Sequence, residues 1–463
     1  MSRARWRGAL RVALVLTSVS LVAVGSAHAH GGSLRAGASR AAAVPAWLFL
    51  ATGGGVVGAS FLLASFATDR AFVRRVAAYH RTITTPEGLS GWGTAAGGAL
   101  GVIGLGLIIV VGLVGPPAGV TNAGVLLVWV GWWAGFTIMT YTLGNSWPAV
   151  NPYRTIAGWL PSFDRPYPER LGAWPAVAGL VVLIWIEVVS PLADDPRLLA
   201  SVVTAYGILA LVGATYFGGD RYFGRIDPLS KAFRYYGAVA PLARNATGGL
   251  RFRLPGAGLQ DPTLVRDGSD VAFILALLWV TSYDGLVATP AWAGLLTPLV
   301  EAGVPAWLCY PVGLLAGFGL FAGLYRVAIA RGRLAAESLL SAGTLARRFA
   351  PSLLAIAAGY HLAHYLGYFI ELLPALIGAL SAPLGPPAPV AIVLPGWYAG
   401  VELAGVLLGH ILAIWVAHGV AFDLFPSRMQ AIRSQFALTA VMVFYTMSSL
   451  WIVSQPYRAP PFL

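Results

Sequence analysis

Ten apolar runs, each of roughly twenty residues, recur from residue 45 to residue 454 and limit the possible folds more than any other feature. They lie at about 45–66, 95–115, 123–144, 172–191, 198–217, 271–291, 305–326, 351–373, 397–421 and 436–454. At 1.5 Å per residue, ~20 helical residues cross a ~30 Å hydrocarbon layer, so each run is near the length of a span. A chain in lipid must satisfy its backbone groups internally. The expected fold is therefore all-α, a polytopic membrane helix bundle with about ten transmembrane helices. Composition agrees: the chain is 57% hydrophobic and 10% charged, with mean hydropathy +0.73. That is more apolar surface than a soluble domain needs.

The formal charge of +12 would suit a nucleic-acid binder, but its distribution argues against one. The positive charge lies between the runs, where the positive-inside rule puts it. One set of loops holds Arg70, Arg74, Arg75 and Arg81; Arg154, Arg165 and Arg170; and a dense group from Arg221 to Arg266. The same set holds Arg326, Arg331, Arg333, Arg347, Arg348, Arg428 and Arg433, while the alternate segments hold only Arg35, Arg40, Arg197 and Arg458. This bias predicts ten spans in the cytoplasmic membrane with both mature ends outside, the lipid bilayer as partner and no nucleic acid. Trp92, Trp147, Trp174, Trp292, Trp397 and Trp451 fall near span ends, as an aromatic belt would. Lys231 is the only lysine and Cys309 the only cysteine. Intrachain disulfides, thiolate zinc sites and iron–sulfur clusters are excluded.

The first 29 residues have the form of a secretory signal. Arg3, Arg5, Arg7 and Arg11 precede the apolar core from Val12 to Gly25, and Ala27-His28-Ala29 is a small-x-small cleavage site. The alternative is that this segment stays attached as an eleventh helix. Residues 30–463 form a single transmembrane domain, within which 218–269 is a basic cytoplasmic loop. Cleavage after Ala29 would leave His30 at the amino terminus, where its α-amino group and imidazole suit copper, nickel or zinc. A tail with no metal is the plainer reading.

Between the spans, Pro228 to Leu242 is expected to form a short amphipathic helix along the inner surface. The Asn245–Thr247 sequon would lie inside and go unused. Gly144 to Thr155 (GNSWPAVNPYRT) is expected to be a turn anchored by Asn151-Pro152, with a re-entrant loop as the other reading. The pairs Gly97/Gly101, Gly313/Gly317, Gly319/Gly323 and Gly405/Gly409 predict close helix packing. Five plus five spans are compatible with an inverted repeat, although no internal similarity is visible.

Ionisable groups inside the runs mark the candidate site. His361 is ~15 Å from Pro351, His410 ~16 Å from Ala421 and Asp284 ~20 Å from Val271, at 1.5 Å per residue. His361 and His410 are expected to face each other near the midplane, with His364 one turn further out and Asp284 in the same layer. Three imidazoles and a carboxylate suit copper, zinc or iron. Separate interhelical hydrogen bonds are the plainer explanation. A single haem held by His361 and His410 is a further reading. His418 lies near the inner surface, Glu187 and Glu402 are buried, and Glu371 sits close to the outer face. Asp423 is expected to pair with Arg428 or Arg433. No G-x-S-x-G, H-E-x-x-H or Walker A signature is present.

Several stretches resemble a family of multi-pass membrane proteins called fenitrothion hydrolase. They are GNSWPAVNPYRTIAGW, the segment Tyr167 to Glu187, TSYDGL around Asp284, AAGYHLAHYLGYFI with His361 and His364, GHILAIWVAHGVAFDLF with His410 and His418, and Arg433 to Pro456. The resemblance covers most of the chain after Gly144. It implies hydrolysis of an organophosphate triester but brings no catalytic residues with it. A metal-bound hydroxide would be one nucleophile for that reaction.

Three functions are therefore expected. The first is transition-metal handling or transport, with Asp284, His361, His364 and His410 as ligands. The second is metal-dependent hydrolysis of a triester at the same cluster, and the third is a single-haem redox role. The small partner would be a metal ion or an apolar molecule.

Overall fold

The structure is a computed structural model that describes residues 46–83, 89–244, 249–456 and 459–462. The expected signal segment, His28, His30, Arg35, Arg40, the 245–247 sequon and Arg458 lie outside the described residues.

The chain is an all-α polytopic bundle. Its long helices are α1 (Ala46–Ala67), α2 (Leu89–Val114), α3 (Ala123–Thr142), α4 (Trp174–Val189) and α5 (Pro196–Phe217). A shorter α6 (Pro228–Val239) precedes α7 (Gly268–Val287), α8 (Ala306–Ala335), α9 (Leu353–Ser381), α10 (Tyr398–Leu424) and α11 (Arg428–Ser454). Among the described residues nine helices are long and apolar enough to cross a membrane. The expected fourth span is the exception: α4 has only 16 residues, ~24 Å of helix at 1.5 Å per residue.

Contacts between loops nevertheless require α4 to traverse the bundle. The loop after α3 meets the loop after α5 through Arg154–Asp220 and through the Leu242 N–H, which donates to Leu143 O at 2.9 Å. The loop after α1 meets the loop after α5 in a three-stranded antiparallel sheet. Strand β1 (His80–Ile83) pairs with β3 (Leu250–Arg253), which pairs with β2 (Leu242–Arg244), in the order β1-β3-β2. Arg70 donates to Phe425 O and Pro426 O, and Arg348 pairs with Asp423 at 2.7 Å. The segments that follow α1, α3, α5, α8 and α10 are thus tied together at one end. Two passes separate the loops after α3 and α5, so α4 runs out and α5 returns.

At the other end Val111, Leu192, Leu199 and Ala379 share one apolar cluster. α7 is the axis of the molecule and is buried along nearly its whole length.

Several expectations are corrected. α6 is a helix as expected but does not lie on a surface. Its Lys231, Phe233, Tyr235 and Tyr236 are buried, because Lys231 is neutralised by Asp270 of α7 at 2.6 Å. The basic 218–269 segment also supplies two of the three strands, which its Gly and Pro content disguised. Asp423 pairs with Arg348 rather than Arg428, which instead donates to Ser65 O and Phe66 O at the end of α1.

Three of the four glycine pairs mark close packing. Gly97 and Gly101 face residues 149–152, Gly313 and Gly317 face Trp292 and Trp279, and Gly405 and Gly409 face α9. Gly319 and Gly323 face open space. Of the expected belt, Trp92, Trp174 and Trp397 are exposed, whereas Trp147 and Trp292 are buried in packing.

The Asn151-Pro152 turn is present. Asn151 Oδ1 accepts from the N–H groups of Tyr153 and Arg154, capping the short helix Pro152–Ala157.

Candidate functional site

Between α2, α3, α4, α5 and α7 lies a chamber of about 430 Å³, the size that holds a small organic ligand. Its walls are mostly aliphatic and aromatic. Trp129, Trp132, Trp133 and Phe136 come from a π-helical stretch, Leu127–Phe136, inside α3. Wide π turns are rare and concentrate at functional sites. Against this apolar lining stand two carboxylates, Glu187 of α4 and Asp284 of α7. Tyr365 of α9 and Thr281 of α7 also line the wall, Thr281 turning its hydroxyl back to Leu278 O at 2.9 Å.

Asp284 is the centre of the polar wall. Its Oδ2 accepts a hydrogen bond from the Tyr365 hydroxyl at 2.7 Å and lies 3.7 Å from His364 Nε2. Glu187 lines the same cavity as Tyr365. His361, one turn before Tyr365, stacks on that ring at 4.6 Å. Tyr141 of α3 shares a hydrogen bond with His361 Nδ1 at 3.2 Å, while Trp133 and Tyr236 of α6 pack against the imidazole. Its buried Nε2 has no hydrogen-bond partner among the described residues. The whole forms a continuous train: Tyr141, His361, Tyr365, Asp284, His364.

The expected ligand layer is only partly assembled. Asp284 and His364 meet, and His361 joins them through Tyr365 rather than directly. His410 does not join. α9 and α10 touch through Gly359 and Gly409, where a Cβ on Gly409 would sit 2.6 Å from Ala355 O. At 100° per residue His361 is about 200° around α9 from Gly359, so it points away from α10. His361 and His410 therefore do not face each other across this contact, whereas the single-haem reading expected them to. His410 is fully buried and bonds through Nδ1 to Val406 O of its own helix at 2.8 Å.

Among the described residues no three His, Cys, Asp or Glu side chains converge as a metal-binding group. The copper, zinc or iron site expected at Asp284, His361, His364 and His410 therefore has at most two neighbouring donors, too few for a closed structural site. His418 is buried elsewhere, beside Thr68 at 3.0 Å and Gln435 at 3.4 Å.

Sequence reasoning missed Tyr365, Tyr141 and Trp133, and did not place Glu187 on the same wall as Asp284. The spacing His361, Tyr365 (i, i+4) was the available signal, since such residues share a helix face. No protein-family model, curated protein or solved structure matches the chain.

Proposed function

We propose that the protein is a multi-pass protein of the cytoplasmic membrane, with its arginine-rich loops inside, that takes a lipophilic organic cation from the bilayer into the chamber. The observation that carries this reading is the placing of Glu187 and Asp284 on the wall of an otherwise aromatic and aliphatic cavity. Carboxylates are costly at membrane depth and are kept there for ions, protons or charged ligands. Tryptophan faces attract cations, most strongly when water is excluded. The buried indole N–H groups of Trp129 and Trp132 have no hydrogen-bond partner among the described residues and suit an oxygen at the ligand's other end.

The test is a tryptophan-fluorescence titration of detergent-purified protein with tetraphenylphosphonium, a lipophilic cation, and triphenyl phosphate, a neutral triester. Saturable binding of the cation is expected, weakened about tenfold or more by Glu187→Gln or Asp284→Asn, roughly 1.4 kcal/mol or more. Equal binding of both probes, untouched by either substitution, would exclude the reading.

One observation favours a second reading, the triester hydrolysis implied by the resemblance. Asp284, flanked by His364 and Tyr365, has the makings of a general base beside an apolar cavity. Release of phenol from triphenyl phosphate, abolished by Asp284→Asn, would select it.

A further inference from the structure

The short helix Arg70–Ala78 begins three residues after α1 ends at Ala67, too soon for the chain to leave the membrane surface. It is held to the bundle on one side only. Val73 is buried, and the Phe72 ring packs edge-on against Trp415 of α10 at 6.2 Å. At 100° per residue Arg74 and Arg75 fall about 100° and 200° from Val73, and both are exposed. The edge strand β1 follows, exposed at every position, and carries Arg81. The acid next to this patch, Asp69, is engaged as the helix N-cap, accepting from the Phe72 N–H at 2.7 Å. Among the described residues no acidic side chain pairs with Arg74, Arg75 or Arg81. Phe72, Tyr79 and Ile83 are each about two-fifths exposed (44%, 42% and 39%), giving the patch an apolar fringe.

We propose that Arg74, Arg75 and Arg81 form a binding surface for the headgroups of anionic phospholipids in the leaflet at this end. Charge complementarity selects the occupant. Three guanidinium groups at a span's end meet phosphates at headgroup level, while the fringe sits where acyl chains begin. The surface is separate from the chamber and does not depend on what the chamber binds.

Native mass spectrometry of the detergent-purified protein, titrated with phosphatidylglycerol and with phosphatidylcholine, tests this. The wild type is expected to retain phosphatidylglycerol preferentially, the preference falling about fivefold for each arginine changed to alanine. Arg197→Ala, at the opposite end, should leave it unchanged. A triple arginine-to-lysine variant keeps the charge and should retain most of the preference, which separates lost binding from lost folding. Equal retention of the two lipids by the wild type would overturn the proposal, as would a preference that survives the triple alanine variant. Displacement of phosphatidylglycerol by millimolar inorganic phosphate would also overturn it, assigning the arginines to a free anion.

Discussion

Tyr365 donates a 2.7 Å hydrogen bond to Asp284, joining α9 to the buried axis helix α7 at the chamber wall. A hydrogen bond to a charged group contributes about 1.5–3 kcal/mol, and losing it leaves the carboxylate short of a donor. Tyr365→Phe should lower the stability of the purified protein by about 1.5–3 kcal/mol, read as a lower thermal midpoint. In the background of Asp284→Asn the same change should cost much less, because the two residues act as one unit. Independent, additive effects in this double-mutant cycle would mean the bond contributes little.

The Lys231–Asp270 pair predicts a different pattern. Both side chains are nearly inaccessible, so removing one leaves an uncompensated buried charge, at a cost of about 3–5 kcal/mol. Asp270→Leu alone should therefore impair folding severely, while Lys231→Met with Asp270→Leu should recover most of the loss. The measurement is the yield and thermal midpoint of monodisperse protein. A double variant no better than the single one would show that the pair has a role beyond mutual neutralisation.

The same pair gives a pH dependence. Burial lowers the Lys231 ammonium from its ordinary 10.5, the effect of burial exceeding the attraction of Asp270. Between the lowered value and 10.5 the unfolded chain binds more protons than the folded one, so this lysine makes stability rise with pH across that interval. The double variant should lose the slope. Thermal midpoints compared at about pH 8 and about pH 10 check it, the sign being fixed by the lowered value.

Glycine substitutions separate packing contacts from open helix faces. A Cβ on Gly359 would sit 2.7 Å from both Gly405 O and Gly409 Cα, which are backbone atoms that cannot swing aside. Gly359→Leu should drive α9 and α10 apart and cost about 3 kcal/mol or more. Gly319→Ala meets nothing within 4 Å and should be neutral, or stabilising by up to about 1 kcal/mol. Matching losses for the two would contradict the assigned α9–α10 contact.

The bundle was largely legible because its signal is length and hydropathy. Every expected run has a helix, and the loops placed together by arginine bias do meet at one end. What sequence could not supply was rotation. Depth along a helix follows from counting residues, and Asp284 and His364, counted to neighbouring depths, do come within 3.7 Å of each other. Which way a side chain points depends on the neighbour, and Gly359 against Gly409 turned His361 away from His410. The burial of α6 was hidden for a related reason. Lys231 makes the segment read as polar, and only Asp270, 39 residues later, removes that charge.

The chamber itself is tested by filling it. Gly104 of α2 lines the wall, and a Cβ there would meet only Leu127 Cδ2, at 3.8 Å, an ordinary contact. Gly104→Phe therefore has room to enter the chamber and should occupy part of its 430 Å³ without displacing a helix. Gly106, two residues along, faces open space away from the chamber and is the control. Gly104→Phe should weaken tetraphenylphosphonium binding by about tenfold or more, equivalent to ~1.4 kcal/mol, with the thermal midpoint little changed. Gly106→Phe should leave both unchanged. If the two variants bind the cation equally well, the ligand sits elsewhere, and the carboxylates on this wall serve the helix contacts alone.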